Sequence, residues 1–181
     1  MAIKIMLDAG HGGTDFGATY NGRKEKDDNL RLALLVGRLL EDACFDVEYT
    51  RKTDVYDAPI IKARKANEAN ADYFFSFHRN ASLRANEANG AEALVFNNYG
   101  TKSKIARAVN ANMETIGFLN RGVMERPNLV VLKRTKMPAV LFETGFIDND
   151  TDNMIFDENL DLIAKGIADG IIDILGNQCE Y

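Results

Sequence analysis

Short apolar runs rich in Val, Ile, Phe and Tyr alternate with stretches of helical period along the chain. This alternation is typical of βα units that build a parallel sheet covered by helices. The apolar runs predict strands at residues 3–7, 47–50, 73–77, 93–97, 129–132 and 139–142. The helical stretches are residues 28–43, 59–70, 103–116 and 159–175, with Ser103 as an N-cap and Gly117 and Gly176 as stops. We therefore expect an α/β fold in a single domain, with a mostly parallel twisted sheet of about six strands and helices on both faces.

Length and composition limit the classes of function. A chain of 181 residues fits one domain with a proper core, which we expect over residues 1–176, followed by a C-terminal tail at 177–181. The formal charge of −5 and the absence of a Lys/Arg run exclude nucleic acid as an expected partner. The sequence has neither a secretory signal pattern nor an apolar stretch long enough to span a membrane.

The chain has two cysteines, Cys44 and Cys179, and they form no C-x-x-C pair. Two cysteines so far apart do not resemble the disulfide framework of a small secreted protein. We interpret them as a core thiol and a tail thiol, and we expect a reducing compartment at synthesis.

Titratable side chains follow three of the predicted strands. His78 comes directly after residues 73–77, and Glu143 comes directly after residues 139–142. His11 lies shortly after residues 3–7. Because ligands bind at the carboxyl edge of open parallel sheets, these side chains indicate a site there. A catalytic zinc ion takes three protein ligands, so two histidines require one carboxylate. Near His11 in the sequence the candidates are Asp8, Asp15 and Glu25.

Other interpretations of these residues stay open at this point. Each histidine could be a hydrogen-bonded structural residue, and Glu143 could be a surface carboxylate. The Gly-rich loop after the first strand could bind a nucleotide, but Asp15 stands where G-x-G-x-x-G requires its third glycine, and no G-K-[ST] follows.

The residues lie within longer runs that resemble the zinc-dependent N-acetylmuramoyl-L-alanine amidases of the amidase-3 type. The matching runs are "LDAGHGGTDFGA", the glutamate of "RKEKDDNL", "RKANEANADYFFSFHRNA" and "NRGVMERPNLVVLKRTKMPAVLFETGFIDN", followed by an amphipathic helix. The resemblance implies that His11, Glu25 and His78 coordinate one zinc ion and that Glu143 is the catalytic carboxylate. Arg79 and Thr144 depart from the usual pattern, and Arg79 leaves the substrate preference open.

The resemblance also implies the function of the chain. We expect a peptidoglycan hydrolase that cuts the amide bond between N-acetylmuramic acid and the L-alanine of the stem peptide. The alternatives are a related zinc peptidase or carboxypeptidase acting on wall peptides, and a non-catalytic wall-binding module. We expect synthesis in the cytoplasm without a signal peptide, and action on bacterial peptidoglycan after release as a phage or prophage lysin. Otherwise the chain is part of a longer protein with a wall-binding domain.

Overall fold

A six-stranded mixed sheet forms the centre of the molecule. The computed structural model describes residues 2–179, so residue 1 and positions 180 and 181 of the expected tail lie outside the described residues. The strands are β1 (Lys4–Ala9), β2 (Thr19–Tyr20), β3 (Arg23–Lys24), β4 (Asp46–Tyr49), β5 (Tyr73–Asn80), β6 (Ala91–Val95), β7 (Asn120–Glu125) and β8 (Ala139–Phe146). The helices are α1 (Glu25–Asp42), α2 (Pro59–Glu68), α3 (Gly100–Ile116), α4 (Val130–Arg134), α5 (Asp150–Glu158) and α6 (Leu160–Leu175).

The strand order in the sheet is β4-β1-β5-β8-β6-β7, while β2 and β3 form a separate small hairpin. Strands β4, β1, β5 and β8 are parallel to their neighbours in this group. Strand β6 runs antiparallel to β8, and β7 pairs parallel with β6. The single-domain α/β fold with a mostly parallel sheet is therefore confirmed.

Helices cover both faces of the sheet. One face packs against α1, α3 and α6 in a core that includes Phe75 and Phe142 of the sheet. The other face packs against α2 and α4, with Phe74 and Leu141 in a smaller core. The central strands are apolar toward both cores, as strands buried on both faces require. Within residues 2–179, no helix combines the length and the apolar character needed to cross a membrane.

Several predicted elements differ from the structure. The predicted strand at 129–132 is wrong, because this run belongs to α4, whose Val131 and Leu132 pack on the smaller core. A four-residue apolar run has no period that separates a strand from one helical turn. The sixth strand is β7, a largely exposed edge strand with a weak apolar pattern. Helix α5 has no counterpart among the predicted helices.

Two helix starts also differ from the prediction. Helix α3 begins at Gly100, so Ser103 is not its N-cap; the buried Ser103 hydroxyl donates to the Tyr99 carbonyl oxygen at 3.2 Å. Helix α1 begins at Glu25, three residues before the predicted start. The stop at Gly117 is confirmed, with a φ of 118° that favours glycine.

The interpretation of the cysteines as free thiols is wrong. Cys44 and Cys179 form a disulfide bond with a Cα–Cα distance of 4.9 Å, and Cys44 lies exposed on the turn after α1 rather than in the core. The end of the chain reaches this turn because the Gln178 amide donates to the Ala43 carbonyl oxygen at 3.0 Å. A sequence separation of 135 residues gives no local signal of such a pairing.

Candidate metal centre

His11, Glu25 and His78 meet at one point although they come from three separate parts of the fold. His11 lies in the loop after β1, Glu25 is the first residue of α1, and His78 lies near the end of β5. The Glu25 carboxylate is 3.1 Å from His11 Nε2 and 2.8 Å from His78 Nδ1. One ligand atom from each residue lies within 4.8 Å of the others. Two imidazoles and one carboxylate at this spacing fit a catalytic zinc site with a further position open.

The start of α1 fixes the Glu25 carboxylate. Its Oε2 accepts from the Ala18 amide at 2.9 Å, and its Oε1 accepts from the Arg79 amide at 3.1 Å and from Asn29 Nδ2 at 3.2 Å. A negative charge is also favoured at the N-terminus of a long helix. The sequence offers Asp8, Asp15 and Glu25 as candidates for the carboxylate ligand. The structure places Glu25 beside both imidazoles.

Two glycines allow the ligands to approach each other. A Cβ atom on Gly10 would overlap the His78 imidazole ring. A Cβ atom on Gly17 would lie 2.5 Å from Glu25 Oε2 and 2.6 Å from His11 Cδ2. These two positions therefore require glycine, because their backbone forms part of the wall around the ligand side chains.

Asp15 contacts the outer side of the His11 ring. Its Oδ2 is 2.9 Å from His11 Nδ1, and its Oδ1 accepts from the Gly17 amide at 3.1 Å. A neutral imidazole that donates from Nδ1 to Asp15 presents its Nε2 lone pair toward Glu25. Asp15 thus orients His11 instead of joining the cluster. Asp8 is buried elsewhere, against Lys62.

The electrostatics of the cluster favour positive charge. Burial alone would raise the pKa of Glu25, but hydrogen bonds with His11 and His78 outweigh it and hold the pKa well below its usual range. Burial would likewise lower the pKa of His11, but Glu25 and Asp15 raise it to about 9. Glu25 therefore stays ionised, and either protons on the imidazoles or a divalent cation between them compensates its charge.

Glu143 lies on the strand next to His78. It is within β8, in register with His78 on β5 and with Glu92 on β6, and the strand continues to Phe146. Its Oε2 atom is buried and has no hydrogen-bond partner among residues 2–179. Burial raises the pKa of Glu143 to about 7, which suits a group that accepts and returns a proton near neutral pH.

The two residues that depart from the family pattern are both buried. The Arg79 side chain points to the opposite face from His78, where it pairs with Asp28 at 2.8 Å and stacks on the Phe156 ring. The Arg79 side chain therefore lies away from His11, Glu25 and His78. The Thr144 hydroxyl donates to the His78 carbonyl oxygen at 3.0 Å, a backbone contact that the sequence pattern did not indicate.

A cavity of about 260 Å³ opens beside the two histidines. Pro59, Leu129 and Val130 contribute to its apolar wall, and both His11 and His78 line it. Residues 129–131 of the segment predicted as a strand therefore form part of the wall of this cavity.

The fold and the cluster define an α/β domain with a candidate metal centre, and the comparisons with known proteins identify the family. The chain belongs to the Amidase_3 family, described as N-acetylmuramoyl-L-alanine amidase, whose model matches residues 5–173. This is a family of enzymes that degrade the bacterial cell wall.

Individual relatives agree with this assignment. The chain is 38% identical to the endolysin of Bacillus phage SPP1 over 185 residues, which cover 97% of this chain and 67% of that protein. It is 33% identical to the amidase CwlM of Bacillus licheniformis, covering 93% of this chain and 67% of that protein. An N-acetylmuramoyl-L-alanine amidase structure from Clostridium difficile 630 matches with a TM-score of 0.88, 31% identity and 98% coverage of both chains.

Proposed function

We propose that this chain is a zinc-dependent peptidoglycan hydrolase that cuts the amide bond between N-acetylmuramic acid and the first L-alanine of the stem peptide. The observation that carries the proposal is the convergence of His11, Glu25 and His78 within 4.8 Å, with Glu143 in register on the adjacent strand. Family membership supports the choice of substrate.

His11, Glu25 and His78 would hold the zinc ion, and Asp15 would keep His11 in the orientation that binds it. A bound zinc ion supplies Lewis acidity, which lowers the pKa of water to about 7 and polarises the scissile carbonyl group. Glu143 takes a proton from the attacking water and returns it to the departing alanine nitrogen. A positioned carboxyl group in this role contributes about 10²–10⁴-fold to the rate.

The assignment of Glu143 is tested by Glu143→Gln, which preserves the shape of the side chain but removes its proton-accepting capacity. Release of N-terminal L-alanine from purified cell walls should fall by about 10²–10⁴-fold while one zinc ion per chain is retained. Glu114→Gln on α3 is the matched control, because this exposed residue lies on the other side of the sheet. Undiminished wall lysis by Glu143→Gln would show that another group moves the proton.

Product analysis tests the bond that is cut. New N-terminal L-alanine without new reducing sugar or a free C-terminal residue is the expected pattern. A free C-terminal residue would instead indicate a peptidase or carboxypeptidase, and no product at all would indicate a wall-binding module. Chelation should stop activity and added zinc should restore it.

The route to the wall is also part of the proposal. We infer that the chain acts on peptidoglycan as a lysin released after synthesis, or as the catalytic part of a longer protein with a wall-binding domain. The endolysin and CwlM extend beyond the matched region, since this chain covers 67% of each, and it covers 56% of the Staphylococcus aureus amidase LytH. Detection of the chain in culture lysates, by size, distinguishes the two forms.

A further inference from the structure

Two buried cations lie beneath the loop that carries His11. Arg51 follows β4 and Lys62 lies on α2, and they are only 4% and 3% exposed. Neither belongs to the cluster of metal-binding side chains. A buried cation is costly unless its donors are satisfied, so the partners of these two side chains indicate what they do.

Their partners include the carbonyl oxygens of three consecutive residues, 9–11, at the end of β1 and the start of the histidine loop. Arg51 donates from Nε to the Ala9 oxygen and from Nη2 to the Gly10 oxygen, each at 3.0 Å. Lys62 Nζ donates to the Ala9 oxygen at 2.7 Å and to the His11 oxygen at 3.3 Å. We call Arg51 and Lys62 together the cationic clamp.

The backbone that the clamp holds is strained. His11 has a φ of 59°, in the left-handed region that a residue with a side chain seldom adopts. Such a conformation persists only where the surroundings determine it. Fixing the carbonyl groups on both sides of the His11 Cα atom determines this φ, and with it the direction in which the imidazole leaves the backbone.

The two buried cations are stabilised in different ways. Lys62 pairs with Asp8 at 2.8 Å, and Asp8 also accepts hydrogen bonds from Thr50 and Ser76. In the part of the chain that the structure describes, Arg51 donates four hydrogen bonds, and all end on backbone carbonyl oxygens. A guanidinium group whose hydrogen bonds all go to the main chain organises the backbone around it.

We propose that Arg51 and Lys62 are positioning residues that hold the backbone of residues 9–11 so that the His11 imidazole points toward Glu25 and His78. The inference rests on the proposed zinc centre. It assigns the clamp a role in metal affinity beyond joining α2 and β4 to β1.

The test separates the effect of the clamp on the loop from the effect of the ion pair between Lys62 and Asp8. Asp8→Asn keeps Lys62 and its contacts with the loop, whereas Asp8→Asn with Lys62→Met removes the clamp donor without leaving a buried carboxylate unpaired. We expect the double variant to bind zinc about 10-fold more weakly than Asp8→Asn, measured by competition with a chromophoric chelator. Asp8→Asn with Lys62→Arg, which keeps a cation, should recover most of this loss.

A second measurement reports the mobility of the histidine loop in the metal-free protein. Hydrogen exchange of the segment 9–17 should be faster in the metal-free double variant than in metal-free Asp8→Asn. Ile167→Ala, which opens a cavity in the core on the other face, controls for lost stability and should leave zinc affinity unchanged.

The possible results have different consequences. Equal zinc affinity and equal exchange in the double variant and Asp8→Asn would overturn the clamp and leave the proposed function intact. A similar loss of affinity in Ile167→Ala would also overturn it, because lost stability alone would then explain the effect. Wild-type protein that takes up no zinc would overturn both the zinc centre and the role of the clamp.

Discussion

Removal of the disulfide between Cys44 and Cys179 should lower the stability of the domain strongly. The bridge joins residues 135 positions apart, so it restricts most of the unfolded chain. In the chain-entropy model a loop of this length corresponds to about 5 kcal/mol at 25 °C. For a domain of this size, 1 kcal/mol corresponds to about 2–4 °C in Tm, so the expected decrease is roughly 10–20 °C.

Thermal unfolding of the oxidised protein, the reduced protein and the Cys44→Ser/Cys179→Ser variant measures this effect. The reduced protein and the variant should unfold at similar temperatures, and reductant should not change the Tm of the variant. Thiol titration of the unreduced protein under denaturing conditions should detect no free thiol. Two titratable thiols would refute the bridge, and a decrease in Tm below about 2 °C would refute the loop-entropy reasoning.

Three further predictions concern polar residues around the site. Asp15→Ala should weaken zinc binding about 10-fold in a chelator competition, because His11 loses its orienting partner. The stoichiometry should stay near one zinc ion per chain, because no ligand is removed. A stoichiometry near zero would contradict this. Arg79→Met removes a buried charged hydrogen-bond partner of Asp28, which keeps its pair with Arg23, and should cost about 2 kcal/mol in urea unfolding. The cleavage products should be unchanged, and altered products would contradict the burial of Arg79 away from the site. Burial alone would raise the pKa of Asp8, but its buried lysine partner lowers it below the ordinary 3.8. Its stabilising contribution is therefore present above that pH and should be lost as the pH falls below it. The decrease in unfolding free energy on acidification should be smaller in Asp8→Asn than in the wild-type protein.

The cavity wall shows why one part of the fold escaped prediction. Val131 and Leu132 are apolar because they belong to the same small core as Leu141, and this requirement is the same for a strand and for one turn of helix. The edge strand β7 escaped for the opposite reason. It lies mostly exposed, so its side chains need not be apolar and its period is weak.

The polar network beneath the site could not be predicted either. Lysine and arginine are mostly exposed in proteins, so nothing in the sequence indicates that Lys62 and Arg51 are buried. Only the folded chain shows that they lie under residues 9–11. The same holds for Arg79, whose role the sequence left open. Alternation along β5 sends its side chain to the opposite face from His78.

The sequence by itself determined the alternation of strands and helices, the two histidines and Glu143 as candidates, and the family that they resemble. These features depend on local periodicity and on the order of the motifs, and both can be determined from the sequence alone. The tertiary structure decided that Glu25 lies beside both imidazoles, that Asp15 orients His11, and that Cys44 and Cys179 form a bridge. Each of these contacts depends on where a side chain points once the helices pack on the sheet, and that direction is set by packing between segments rather than by the sequence around each residue.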